Sequence, residues 1–293
     1  MIIARVHGGL GNQMFQYALG RRLALEHGTE LLLDLAFFGL KEGSHTPRPF
    51  ELDVFKVKYR RANEDEVRPF LQARASRARR VRDRLLPGFA IHPYFAQSGF
   101  GFDPSALDLP ATVYLDGYWQ SENYFKDADA AIRADFAFTP APDEANFSMA
   151  YRIRGAHAVS VHVRRGDYAS DPTTHAHHGM CDAAYYEAAM QRMIQAHPNA
   201  VFFIFSDEPA WVKNNLRFDA PMVVVDHNQG MTSFEDMRLM SLCKGHIIAN
   251  SSFSWWGAWL NPDPAKLVIA PRQWFRDPAI DTRDLLPATW TRL

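Results

Sequence analysis

The sequence predicts an α/β fold of two halves, each a parallel sheet covered by helices, with the halves facing a central cleft. Three observations predict it. The chain has 293 residues, which suits two domains of ordinary size better than one. Apolar runs of strand length alternate with helical patterns, the pattern of parallel sheets buried on both faces. The segments after those runs are polar, and open parallel sheets hold their ligands at the carboxyl ends of the strands.

The first unit reads strand, glycine turn, helix, strand. Residues 2–6 form the strand and His7-Gly8-Gly9-Leu10-Gly11 the turn. A helix is predicted over 12–27, because Phe15, Leu19 and Leu23 recur at helical spacing and Met14, Ala18 and Leu25 widen the stripe. Gly28 is placed to end it. Residues 31–33 are the next buried strand, which completes a βαβ opening. Residues 41–65, with Pro47 and Pro49, read as turns. Residues 72–84 carry Arg74, Arg77, Arg79, Arg80, Arg82 and Arg84. They read first as a solvated helix face, with contact to an anionic headgroup or a phosphate as the alternative. Residues 113–115 form a strand feeding Asp116-Gly117-Tyr118-Trp119-Gln120, and 139–143 is the interdomain linker candidate.

The second half is more regular. Strands are predicted over 159–163, 201–205, 222–225, 247–249 and 267–269. Helices are predicted over 182–196, 209–216, 233–243 and 254–260. Trp255, Trp256 and Trp259 are expected in the core. Cys181 and Cys243 are expected inside helices, reduced and buried, and their spacing fits no metal site.

Composition excludes several classes. Hydrophobic residues make up 47% of the chain, which rules out wholesale disorder. The 32 lysines and arginines balance 33 aspartates and glutamates, so nothing draws the whole molecule to nucleic acid or membrane. An anion site must therefore be a local arrangement. No apolar stretch reaches the roughly 18 residues of a membrane span. The amino terminus is too short an apolar run for a signal peptide. A cytoplasmic enzyme is expected, with peripheral membrane contact left open.

The strand ends carry the chemistry. The first strand ends at Gly8-Gly9-Leu10-Gly11-Asn12-Gln13, and later ones at Arg164-Arg165-Gly166-Asp167-Tyr168, Ser206-Asp207-Glu208, Asp226-His227-Asn228 and Asn250-Ser251-Ser252-Phe253-Ser254. Two of these loops enter helices, whose first N–H groups and partial positive charge suit an anion. Glycine and serine let the backbone approach phosphate oxygens closely. Arg164 adds a planar fork for two oxygens. Together these can neutralise a pyrophosphate without a metal. Taken singly, the glycine loop is also a plain turn, His162 a core histidine, and Ser251 to Ser254 a helix cap. Asp127-Ala128-Asp129, the nearest metal-binding pair, reads as surface charge. His175, His177 and His178 form a short run with few carboxylate companions, read as a loop. No metal is expected.

The chain resembles the α-1,2-fucosyltransferases of glycosyltransferase family 11. The segments that carry the resemblance are His7-Gly-Gly-Leu-Gly-Asn-Gln-Met-Phe-Gln-Tyr17, Gly117-Tyr-Trp-Gln-Ser-Glu-Asn-Tyr-Phe125 and Val161-His-Val-Arg-Arg-Gly-Asp-Tyr168. Phe202-Phe-Ile-Phe-Ser-Asp-Glu208 and Asn250-Ser-Ser-Phe-Ser-Trp-Trp-Gly-Ala-Trp-Leu260 complete the set. The resemblance implies a GT-B-like architecture of two Rossmann-like domains, 1–145 on the acceptor side and 146–293 binding GDP-fucose. It implies Arg164 on the β-phosphate, His162 near the guanosine, Asp236 reading guanine, and Ser252 and Phe253 on phosphate and nucleoside. Arg165, Asn250, Ser251, Gly9 and Gly11 complete the expected donor contacts. Asn12 is expected near the β-phosphate and the acceptor, with Gln13, Tyr118 and Gln120 on the acceptor side.

The activity implied is inverting, metal-independent transfer of L-fucose from GDP-β-L-fucose to the 2-hydroxyl of a terminal β-galactose. The acceptor is expected to be a galactose-containing oligosaccharide or lipid-linked glycan of a surface-polysaccharide pathway. Asp167 is a candidate base, with an ion pair orienting Arg164 or Arg165 as its alternative role. Transfer in another linkage, transfer of another GDP-sugar, and a non-catalytic GDP-sugar sensor stand as alternatives. A nucleic-acid-binding role for 74–84 is disfavoured by the neutral charge and the lack of interleaved aromatics.

Overall fold

The computed structural model describes residues 1–39, 48–75, 93–166 and 179–293. The chain divides into two compact units, Met1–Thr139 with Asp281–Leu285, and Pro140–Ile280 with Leu286–Leu293. Each has the helix-covered parallel sheet expected of a Rossmann-like unit.

In the first unit, β1 (Ile2–Arg5) is central. β2 (Leu31–Asp34) and β3 (Arg60–Arg61) lie on one side, and β5 (Val113–Asp116) and β4 (Tyr94–Ala96) on the other, all parallel. Ile2 stands opposite both Leu31 and Val113, so the strands end in step. α1 (Leu10–Glu26) lies directly on one face. Gly20 permits this, because a Cβ there would come within 2.7 Å of the Leu31 side chain and 3.2 Å of the Ala4 Cβ. The helix gives way at Gly28, which takes the left-handed φ of +58° that a side chain would resist. α2 (Glu64–Ala75) covers the other face, packing Val67 and Phe70 on Ile3, Leu32 and Tyr114. α1 is also pinned to α3 (Asp129–Asp135): the Tyr17 hydroxyl and Arg21 Nε both donate to the buried Asp135 carboxylate, each at 2.7 Å.

The second sheet runs β11 (Thr291–Arg292), β10 (Leu267–Ala270), β9 (Gly245–Ile247), β6 (His157–Val163), β7 (Ala200–Ser206), β8 (Met222–Val225), again all parallel. Side chains alternate across it, as the pleat requires. Val159, Val161 and Val163 with Phe202 and Ile204 pack under α5 (Ala183–Ala196), against Tyr186, Met190 and Met193. Phe203 and Phe205 face the other way, toward Ile153 of α4 (Glu144–Arg154) and Leu239 and Met240 of α7 (Phe234–Ser241). Ser160 and His162, which alternate with the valines, therefore project to the α7 side. α6 (Pro209–Asn215) and α8 (Ser252–Leu260) complete the described helices of this unit, and Trp255, Trp256 and Trp259 of α8 are buried as expected.

Some expectations need correction. The strand expected at 247–249 runs over Gly245–Ile247, because buried Gly245 and His246 give no apolar signal. Cys181 and Cys243 lie just outside helices, the first before α5 and the second after α7, and Cys181 is only half-buried. Their thiols are unpaired in disulfides and burial pushes both upward, Cys181 to about 11. The segment read as turns holds edge strand β3 and the start of α2. No helix among the described residues is long and apolar enough to cross a membrane.

Candidate functional site

Two neighbouring strand ends carry most of the donor candidates in the second unit. β6 ends at Val163, so Arg164 and Arg165 stand just past the sheet, beside Ser206 and Asp207 at the end of β7. Asp207 organises this corner. One of its oxygens pairs with Arg164 Nη1 at 2.8 Å, and the other accepts the Arg165 N–H at 2.9 Å. Gly166 presses on the same carboxylate; a Cβ there would come within 2.5 Å of it. Arg164 is thus held at the mouth of the strand, with about a fifth of its side chain exposed. Arg165 turns elsewhere: its Nε pairs with Glu208 at 3.2 Å and its guanidinium lies 3.9 Å over the Trp211 ring.

His162, one residue inside β6, is buried, and its Nδ1 has no hydrogen-bond partner among the described residues. Burial holds its pKa well below the usual histidine range, so the ring is neutral. It lies 5.8 Å from the Phe253 ring. Phe253 opens α8, whose N-cap Ser251 makes no side-chain capping bond. The first N–H groups of α8 therefore receive no bond from the Ser251 side chain, and a helix start of this kind suits an anion. Asn250 is spent locally, its amide donating to Trp274 O at 3.1 Å.

Asp236 sits in the first turn of α7 and is buried. Burial raises its pKa to about 7, opposed by a 2.8 Å hydrogen bond from Asn228 Nδ2 and reinforced by neighbouring Glu235. A buried carboxyl this poorly solvated gains from any ligand that brings N–H donors.

In the first unit, the turn after β1 collects the other candidates. Gly9 is the N-cap of α1 and Gly11 lies in its first turn. Gly8 has φ +79°, and a Cβ there would come within 2.8 Å of Asn12 Nδ2. Asn12 Oδ1 accepts from Gln120 Nε2 at 2.7 Å, so these two candidates meet. Gln13 is fully buried and its amide is used by the chain, donating to Gly8 O and Pro49 O and accepting from the Glu51 N–H. Tyr118 is 41% exposed and stands edge-on to His7 at 4.6 Å. Behind it Trp119 has φ +55°, the one non-glycine residue with positive φ among those described. Gln97 Oε1 holds this bend by accepting from the N–H groups of Tyr118 and Trp119 at 2.8 and 3.1 Å. Such strain persists where surrounding bonds enforce it, commonly at binding sites.

Asp167 lies outside the described residues, as do His175, His177, His178 and Arg77, Arg79, Arg80, Arg82 and Arg84. Arg74 itself donates to Tyr94 and Asp116 at 2.6 and 3.3 Å. Asp127 and Asp129 pair with Arg22 and Arg133 on the surface, as expected. Among the described residues no three His, Cys, Asp or Glu side chains gather to hold a metal ion. Sequence reasoning missed the parts played by Asp207 and Asn228. Both stood in polar strand ends already noted, and that position was the available signal.

Comparison with known proteins identifies the family. Residues 65–293 match the model of glycosyl transferase family 11. The chain is 33% identical over its whole length to an α-1,2-colitosyltransferase of Escherichia coli, covering 99% of that protein. It is also 33% identical to the O-antigen biosynthesis glycosyltransferase WbnK of Escherichia coli, over 92% of this chain and 93% of that one. In fold it is similar to a mutant of Arabidopsis thaliana FUT1 in complex with GDP, at a TM-score of 0.50 and 13% identity, covering 91% of this chain and 69% of that one. The chain has the α/β, GT-B-like fold and is a glycosyltransferase belonging to glycosyl transferase family 11.

Proposed function

We propose that the protein transfers L-fucose from GDP-β-L-fucose to the 2-hydroxyl of a terminal β-galactose, with inversion and without a metal. The observation that carries this reading is the arginine corner at the end of β6. There Asp207 holds Arg164 at 2.8 Å, two residues from the buried His162, whose Nδ1 has no partner among the described residues and whose ring lies 5.8 Å from that of Phe253 in the first turn of α8. In the reaction the acceptor oxygen bonds to the anomeric carbon as the carbon–phosphate oxygen bond breaks. GDP leaves with the electron pair, and the hydroxyl proton passes to solvent water. Negative charge grows on the departing phosphate, and preorganised cations and N–H groups aimed at it supply catalysis. Arg164 takes the part a divalent ion plays in metal-dependent transferases.

Support for the linkage comes from the whole-length relative named as an α-1,2-transferase, and from galactoside α-1,2-fucosyltransferases that match about half of the chain. The surface-glycan acceptor is supported by the relative named for O-antigen biosynthesis. The same relatives favour one second reading. Colitose is fucose lacking the 3-hydroxyl, so the α-1,2-colitosyltransferase makes GDP-colitose a competing donor. The test is transfer from each donor to lactose and lacto-N-biose, with mass and linkage analysis of the products. An α-1,2-fucosylated product at the higher kcat/KM supports the proposal. Preference for GDP-colitose replaces the donor, and no transfer from either rejects the reading.

A further inference from the structure

Behind Asp236 lies a buried chain of amides. Asn228 Nδ2 donates to Asp236 Oδ1 at 2.8 Å and to Asn146 Oδ1 at 2.9 Å, which uses both of its hydrogens. Asn146 Nδ2 returns a bond to Asn228 Oδ1 at 2.8 Å, and gives its other hydrogen to Asp143 Oδ1 at 3.0 Å. The two side chains are therefore joined reciprocally, with one carboxylate at each end. His227 Nε2 lies 3.0 Å from Asn146 Oδ1, and an amide oxygen only accepts, so that nitrogen carries the hydrogen. The Asn146 N–H also donates to Asp143 Oδ1 at 2.8 Å, which caps α4 and roots the chain of bonds in a helix end.

The orientation of every amide in this chain is determined. Turning Asn228 over would aim its oxygen at Asp236 and oxygen against oxygen at Asn146, leaving buried groups unsatisfied. Asn228 is thus a rigid donor, one hydrogen held by Asn146 and the other directed at Asp236. It occupies one lone pair of Asp236 Oδ1 and leaves the other lone pairs of the carboxylate for a ligand. Both oxygens act purely as acceptors only while the carboxyl is ionised. A proton would turn one oxygen into a donor and repel an incoming N–H.

We propose that Asn228 is a positioning residue for base recognition: anchored by Asn146, it fixes the Asp236 carboxylate as a pure acceptor pair that selects the adjacent N1–H and N2–H of guanine. This rests on the proposed GDP-sugar reading and deepens it. Adenine presents a ring acceptor at that edge, and hypoxanthine presents N1–H alone. The charged groups around Asp236 are Glu235 on its own helix, itself paired with Arg238 at 3.0 Å, and Asp143 and His227 at the far end of the amide chain. Asn228 donates the one hydrogen bond that favours ionisation of Asp236 against burial and Glu235.

The experiment is calorimetric binding of GDP and inosine diphosphate between pH 6 and 9. It uses the full chain, the Asn228→Ala variant and the Asn146→Ala variant. The wild-type protein is expected to bind GDP roughly tenfold or more tighter than inosine diphosphate, the worth of a charge-assisted hydrogen bond. In Asn228→Ala the preference falls to within about threefold, and the pH midpoint of GDP binding moves up, because Asp236 protonates more readily. Asn146→Ala keeps Asn228 but frees its amide, and shows a smaller change in the same direction. It decides the matter if Asn228→Ala does not fold. An unchanged preference and midpoint in the folded variants overturns the role of Asn228 while leaving the guanine reading standing. Equal binding of both nucleotides by the wild-type protein overturns guanine reading by Asp236 and this inference with it. No binding of either rejects the GDP-sugar reading at its root.

Discussion

Asp207 grips Arg164 at 2.8 Å with one carboxylate oxygen and takes the Arg165 N–H at 2.9 Å with the other. The arginine proposed to face the donor phosphates is thus aimed by a residue on the neighbouring strand end. Asp207→Ala removes both contacts, and is expected to lower kcat/KM about ten- to a hundredfold through a misplaced charge. Asp207→Asn, which keeps an acceptor for the Arg165 N–H, is expected to lose less. Steady-state kinetics with circular dichroism as the folding control checks both.

Gly166→Ala is expected to resemble Asp207→Ala. Its Cβ would lie within 2.5 Å of the Asp207 carboxylate, so that side chain must move and release Arg164. The expected result is a fall in donor kcat/KM with little change in acceptor KM. A fully active Gly166→Ala enzyme would show that the Asp207 corner tolerates displacement.

Asp236 makes a pH prediction of definite sign. Its folded pKa of about 7 lies above the ordinary value of 3.8, so the folded state holds the proton more tightly than the unfolded chain. This contribution to stability is full below the unfolded pKa and is lost as pH rises through about 7. Asp236→Asn removes the titration. The ligand-free variant should be more stable than wild type at pH 8 by roughly 2–4 kcal/mol, and should show no such gain near pH 4. Thermal melts at the two pH values measure it. The same variant is expected to lose its preference for GDP.

Tyr118 is exposed beside His7 on a bend that Trp119 holds at positive φ. An exposed aromatic ring on an enforced backbone suits the apolar face of a pyranose. Tyr118→Ala is expected to raise the acceptor KM about tenfold while leaving GDP affinity unchanged. A change confined to donor binding would assign Tyr118 differently.

The fold was legible because both sheets are parallel and buried. The valines alternating over Val159 to Val163 and the continuous run Phe202 to Phe205 announce themselves, and so does the α1 stripe of Phe15, Leu19 and Leu23. Edge strands β3 and β11 were not legible, since two-residue polar segments carry no period. The return of Asp281–Leu285 to the first unit leaves no sequence trace either. Among the site candidates, strand-end position marked Arg164 and Asn12, whereas His162, inside β6, was marked only by the family resemblance. It gave no hint that Arg165 stacks on Trp211, or that Gln13 ties the 49–51 backbone. Both follow from side-chain geometry that only the packed chain defines. Asn146 was invisible, because it reaches Asn228 across 82 residues of sequence.

The most direct test of the central claim is transfer from GDP-fucose by wild-type protein and Arg164→Ala in the presence of EDTA. The account predicts full wild-type activity with the chelator, and a folded variant slower by about two to three powers of ten in kcat. A wild-type enzyme silenced by EDTA and restored by a divalent ion, or a folded Arg164→Ala variant with near-normal turnover, would contradict it.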